Sequence, residues 1–505
     1  MISGLHAQSH RAINALETMR GRAGSASTKG LDDAIITRFA ALDSRLVLAI
    51  DAGLKAQTAV LAEHPELITG PEHEAVQIVQ AGYVNFYPDD AVNPYLGAAA
   101  LGPWIVTLHG AVVHDSGGYG MLGFGHAPAE VLNVMAQPWI MANIMSPSVS
   151  QLRFVQAIRR EVGHTRAGCP FHRFICMNSG SEANTVAARI TDANALHMTQ
   201  PGGKYEGRTP VFIGMERAFH GRTGRPAQVS SSSLPSYQRH LRSFQGRENL
   251  WQLPSNDIAA LQAAFQRADD EGYFVEAMFL EPVQGEGSPG RAVTRAFYDE
   301  ARRLTTQQDS LLIVDSIQAG FRAQGVLSMV DYPGFEDCEA PDIEAWSKAI
   351  NAGQYPFSVL GLTERSAAMY AKGIYGNTMT TNPRALEVAV NVLNAITPEL
   401  RQNVRRQGEL FVEGLQALQQ QFPRVIVDVV GSGLLFCAEL DPAHFTVQGH
   451  GSAEELCRYK GLGVIHGGRN ALRFTPNFNV TDEERAMVLD VLASALIELD
   501  ARLDA

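Results

Sequence analysis

Six lysines serve a chain of 505 residues, so a step that needs a primary amine has few candidates. Lys29 falls in a small, polar N-terminal stretch and Lys55 on the wet side of an amphipathic pattern. Lys204 sits in the loop QPGGKYEGR, Lys372 before Gly373, and Lys460 in the turn YKGLG. Lys348 differs. Within PDIEAWSKAINAGQYP it follows a strand-like segment and precedes a Gly/Pro-rich turn. Other groups with chemical potential stand near strand ends. The buried-strand pattern Leu311-Leu312-Ile313-Val314 ends in Asp315, a carboxylate in poorly solvated surroundings that needs a donor or cation partner, and Gln318 follows three residues on. In Met177–Asn184 a strand gives way to Ser179, Gly180 and Ser181 and then to a helix. The free N–H groups and dipole of that helix start suit a phosphate or carboxylate. The stretch GNTMTTNP, with Thr378, can add hydroxyl donors to the same anion. Glu216–Thr223 places an aromatic ring (Phe219), an imidazole (His220) and a guanidinium (Arg222) after another strand.

An amine, an acid for a ring nitrogen, an anion cradle and an aromatic plate together match the needs of pyridoxal 5'-phosphate. A lysine can hold its aldehyde as a Schiff base, and an acid keeps its pyridine protonated so that the ring accepts carbanion charge. From about residue 80 onward the chain resembles the class III aminotransferases, fold-type I pyridoxal phosphate enzymes that include ornithine, acetylornithine and 4-aminobutyrate aminotransferases. The resemblance rests on ordered motifs: NSGSEAN, AFHGRT, FLEPVQGEG, VDSIQAGFR, PDIEAWSKAINAGQYP, GNTMTTNP and LRFTPNF.

The resemblance implies that Lys348 carries the cofactor and moves the α-proton. It implies that Asp315 meets the pyridine nitrogen and Gln318 the phenolic oxygen. Ser179, Gly180 and Ser181 would cradle the phosphate, with Thr378 reaching it from a neighbouring subunit. Phe219 would stack on the ring beside His220. Arg222 corresponds to a carboxylate-binding arginine, and Glu286 with Arg473 to a pair that masks or frees an arginine between half-reactions. The implied substrates are an amine donor and a keto or aldehyde acceptor, with glutarate-type partners (glutamate and 2-oxoglutarate) on one half-reaction, in a homodimer. Some positions depart from the family pattern. Ser316 and Ala319 replace the Glu and Thr of Asp-Glu-Val-Gln-Thr-Gly, and Thr380-Thr381 stand where Gly-Gly usually precedes Asn-Pro. These departures bear on the substrate rather than the cofactor.

The elements that must position these groups can be read from periodicity. Between about 105 and 315, short apolar runs (Ala111–Val113, Phe174–Met177, Val211–Gly214, Ala277–Leu280, Leu311–Val314) alternate with helical patterns near 128–137, 150–162, 181–198, 257–268 and 292–306. Apolar runs without strict alternation, spaced by helices, imply a mostly parallel sheet covered on both faces. In such α/β sheets, ligands sit at the carboxyl ends of strands. Helices at 384–396 and 400–421, then strands near 425–429 and 434–440, imply a smaller α+β domain. The expected division is a helical extension over 1–75, a segment 76–145 joining the small domain, a large cofactor domain 146–385 and a small domain 386–505. Residues 1–30 read as loosely ordered, and 31–67 as an amphipathic helix or pair of helices.

A chain this long exceeds a single core. Its net charge of −12 and lack of a basic run argue against nucleic acid as a partner. Five scattered cysteines suggest reduced thiols in a cytoplasmic protein. No apolar run approaches a membrane span, and the N-terminus has no apolar core of a signal peptide. His164, Cys169, His172 and Cys176 lack the compact pairing of zinc ligands, so no metal site is expected. Gly118–Gly123 is a formal GxGxxG and raises a nicotinamide-dependent oxidoreductase as a rival, but no acid follows in 136–149. Aminomutase, decarboxylase or epimerase chemistry on the same cofactor, and a non-catalytic scaffold, are the remaining alternatives.

Overall fold

The structure, a computed structural model, describes residues 2–141, 144–246 and 249–504. The chain forms two compact units, residues 130–405 and residues 1–129 with 406–505. The first is built on seven strands: β1 (Arg173–Met177), β2 (Thr209–Met215), β3 (Leu250–Leu253), β4 (Tyr273–Leu280), β5 (Leu311–Asp315), β6 (Ile343–Trp346) and β7 (Ser358–Leu362). Their order across the sheet is β1-β7-β6-β5-β4-β2-β3. Every pair from β6 to β3 is parallel, and β7 runs antiparallel between β1 and β6. Each residue of β5, β6 and β7 is buried, which is why their sequences read as continuous apolar runs rather than alternations. The mostly parallel, helix-covered α/β sheet is as expected. The antiparallel β7 was not legible, because a short buried run carries no mark of its direction.

The helix Gly180–Thr199 covers one face of this sheet, burying Ala183, Val186, Ala187 and Ile190 against Met177, Phe279, Ile313 and Leu360. Parallel connection places the carboxyl ends of β2, β4, β5 and β6 along one edge. Asp315, Glu281 and Lys348 lie at or just beyond those ends.

The second unit holds two four-stranded sheets, one from 97–101, 104–107, 112–115 and 462–463, the other from 426–432, 435–440, 465–467 and 471–474. The run read at Ala111–Val113 belongs here, as the strand Val112–Asp115. Residues 1–30 are not loosely ordered throughout: Ile2–Arg22 is a helix. Ala12, Leu16 and Met19 lie buried at helical spacing, Arg20 Nε donates to Gly110 O at 3.0 Å, and Gln57 Nε2 joins Met19 O to Leu108 O at 2.9 and 2.8 Å. Short-range polarity hid a stripe that packs against the helices Asp33–Leu42 and Ser44–Glu63. No helix among the described residues is long and apolar enough to cross a membrane.

Candidate active site

Lys348 leaves the end of β6 on a one-turn helix, Lys348–Asn351. Its φ is +50°, a left-handed conformation that L-residues with side chains rarely adopt. The turn is pinned from below, where Ser347 Oγ and Asn351 Nδ2 both donate to Phe357 O, at 2.7 and 3.0 Å. Backbone strain held by surrounding bonds is a mark of functional positions. The Lys348 ammonium donates to Gln318 Oε1, across a separation of 30 residues.

Asp315 closes β5 and is 4% exposed. Its Oδ2 accepts from Asn184 Nδ2 at 2.7 Å and lies 2.9 Å from His220 Nδ1, while Oδ1 accepts from Ile317 N at 3.0 Å. The carboxylate thus has the partners a buried charge demands. Glu281 closes β4 beside it. Burial pushes its carboxyl up to about 7, against the pull of His220 and of the backbone N–H groups of Phe219 and Gly285, which donate at 2.9 and 2.8 Å. Gln318 Nε2 is buried with no acceptor among the described residues. A Cβ on Gly285 would overlap the Gln318 side chain, so glycine there keeps the amide in place.

Ser179 caps the Gly180–Thr199 helix, its Oγ accepting from Glu182 N at 3.3 Å. Ser181 Oγ accepts from Arg222 N at 3.3 Å, which joins the cradle to the Phe219–Thr223 segment. Gly221 makes that approach possible: at φ +114° it lies so near Ser181 that a side chain would collide. Asn377 Nδ2 donates to Glu182 Oε1 at 2.9 Å, which brings the second hydroxyl cluster against the same helix start. Thr378 itself is exposed. The Arg222 guanidinium stands 5.1 Å from the Phe219 ring centroid and 3.5 Å from Glu286. Arg473 lies in the other unit, buried on the strand Ala471–Phe474, whereas Glu286 pairs within its own unit to Arg222.

Ser316, where the family pattern has an acid, donates to Glu344 Oε1 at 2.6 Å. Ser328 Oγ and Met329 N donate to the same carboxyl at 2.5 and 3.0 Å. Burial pushes Glu344 up to about 7. Residue-by-residue reading missed Asn184, Glu281, Gly285 and Glu344. Glu281 had a usable signal, an acid ending an apolar strand just as Asp315 does.

The donor set fits pyridoxal phosphate: a strand-end carboxylate, a buried amide with a donor to spare, an amine and a helix N-terminus. Gly118–Gly123 does not form a nucleotide cradle. It makes a short 3-10 turn with Tyr119 at φ +48°, and the next helix begins only at Ala129.

Residues 88–496 match the family described as aminotransferase class-III. The acetylornithine aminotransferase of Xanthomonas axonopodis pv. citri is 30% identical over 392 residues, 77% of this chain and 89% of that protein. The acetylornithine aminotransferase of Neisseria meningitidis serogroup B is 31% identical over 424 residues, 83% of this chain and 98% of that protein. The ornithine aminotransferase of Toxoplasma gondii ME49 aligns with a TM-score of 0.73 at 22% identity, covering 88% of this chain and 99% of that one, and so shares its fold. From the matched span and these relatives, the chain belongs to the class III aminotransferases and is a pyridoxal phosphate-dependent transaminase of fold type I.

Proposed function

We propose that Lys348 is the catalytic amine of this enzyme and the attachment point of its cofactor. The observation that carries the reading is the convergence of a strained, pinned lysine, an amide and a fully partnered carboxylate at neighbouring strand ends. Pyridoxal phosphate, when bound, supplies the electron sink for the charge left as a proton departs from the amine-bearing carbon. Asp315, which accepts from Asn184 and lies beside His220, would face the ring nitrogen. Gln318 Nε2, buried with a donor to spare, would donate to the ring's oxygen. Ser179, Gly180, Ser181 and the helix start would hold the phosphate, and Phe219 would cover the ring. The Lys348 amine would be the group that takes the proton from the amine-bearing carbon and delivers it to the carbon on the far side of the nitrogen.

Arg222 binds a substrate carboxylate, which supports glutamate and 2-oxoglutarate on one half-reaction. The other substrate is an amine or ω-amino acid; the names of the relatives favour an acylated diamino acid. Glu286 stands beside Arg222 at that subsite. A homodimer is supported by the apolar residues Leu132, Ile140, Met145, Val149 and Leu152, all exposed on one stretch of the single chain. Thr378 is exposed, as a residue serving a partner subunit must be. The absence of disulfides among the described cysteines agrees with a reducing, cytoplasmic setting.

Borohydride reduction and peptide mapping test the attachment, and the expected label is on Lys348. Lys348→Arg should lower turnover by about 10,000-fold with the far-UV circular dichroism unchanged. A label elsewhere, or an active variant, overturns the assignment. Ping-pong kinetics that consume a separate keto acceptor are expected, and would exclude aminomutase, decarboxylase and epimerase chemistry.

A further inference from the structure

Three unlike neighbours are among the groups around the Arg222 side chain. Its Nη1 donates to the Tyr237 hydroxyl oxygen at 3.3 Å, its Nη2 donates to Glu286 Oε1 at 3.5 Å, and the Phe219 ring lies beneath it. These contacts differ in how readily they yield. The Glu286 contact is a single long one between side chains 38% and 30% exposed, and ion pairs of that geometry and exposure contribute little. A carboxylate arriving from solution can make two shorter parallel bonds to the guanidinium and so displace it. Tyr237 is different. It is a hydroxyl and not a carboxylate, and can donate as well as accept. It sits on the short helix Leu234–His240, with its ring 5.3 Å from that of Phe244. Each Nη carries two hydrogens, so Nη1 can keep its bond to Tyr237 and still face a ligand.

We infer that Tyr237 is a positioning residue for substrate carboxylates: its hydroxyl fixes the plane of the Arg222 guanidinium, while Glu286 occupies the exchangeable side until a carboxylate replaces it. The inference rests on the reading that Arg222 binds the carboxylate. It adds the residue that turns the guanidinium toward its ligand before the ligand arrives, which lowers the ordering that binding must impose.

The test is isothermal titration of the holoenzyme with glutarate, a dicarboxylate that cannot accept an amino group, using the parent, Tyr237→Phe, Arg222→Ala and the double variant. Tyr237→Phe should weaken glutarate binding by about 3- to 10-fold, the range for one ordinary hydrogen bond. It should raise the KM for 2-oxoglutarate by the same factor with kcat unchanged. Arg222→Ala should weaken glutarate further, and the double variant should match Arg222→Ala, since residues acting through one contact do not add. If Arg222→Ala loses glutarate while Tyr237→Phe binds like the parent, or if the two effects add, the inference falls and the carboxylate role of Arg222 stands. If Arg222→Ala binds glutarate like the parent, the role of Arg222 fails, and this inference with it.

Discussion

On Asp315 three partners converge within 3.0 Å, and the side chain is almost wholly buried. On Arg222, some of the nearest partners stand at 3.3 and 3.5 Å, and more than a third of the side chain is exposed. The first region is a floor and the second a rim. Charge in the floor meets a low dielectric, so each bond is strong and each unpaired atom expensive. Charge in the rim is screened, so its pairings exchange at small cost. The floor suits a group that stays through every turnover, and the rim suits ligands that come and go.

Substitutions can break or sharpen this contrast. The largest expected effect is at Asp315. Asp315→Asn keeps the shape and removes the charge proposed to serve the ring nitrogen, and kcat should fall about 1,000-fold. A rate within a few-fold of the parent would remove Asp315 from the floor's chemistry, whatever its bonds.

The next effect concerns stability. Glu344 has its ordinary value of 4.5 raised to about 7 by burial. Between those values the folded chain binds a proton that the unfolded chain has lost, so stability must fall as pH rises from 4.5 to 7 and level off above. The span corresponds to about 3 kcal/mol. Glu344→Gln mimics the protonated form. Its urea-unfolding free energy should therefore gain about 3 kcal/mol on the parent's between acid and mildly alkaline pH. A constant difference would show that Glu344 does not titrate in this range.

The smallest effect belongs to the rim. Glu286→Gln removes the anion that competes for Arg222, and the KM for 2-oxoglutarate should fall about threefold, in keeping with the modest strength of exposed pairs. A rise in KM would mean that Glu286 helps to hold the ligand instead of yielding to it.

The contrast also explains what could be read in advance. Floor residues sit at the ends of apolar runs, where a polar residue is conspicuous: Asp315 after Leu311–Val314, Lys348 after β6, Ser179 after β1. Their positions were conspicuous because burial makes a lone charge or amine improbable without a purpose. Rim residues have no such contrast. Tyr237 lies in a serine-rich stretch that looks like any surface loop, and the partner of Glu286 is chosen by position alone. The helix Ile2–Arg22 was hidden for a related reason, since its buried stripe is spelled in alanine, leucine and methionine among polar residues.

The sequence by itself determined the cofactor chemistry and the α/β class, because strand ends, helix starts and scarce lysines are local features that periodicity exposes. Tertiary structure decided the partnerships. Asn184 and His220 reach Asp315 across 131 and 95 positions, Lys348 reaches Gln318, Glu344 accepts from Ser316 where the family pattern has an acid, and Glu286 turns to Arg222. Such pairings follow from which strands lie side by side and in what register. Crossover connections set that order, and no short window of residues records it.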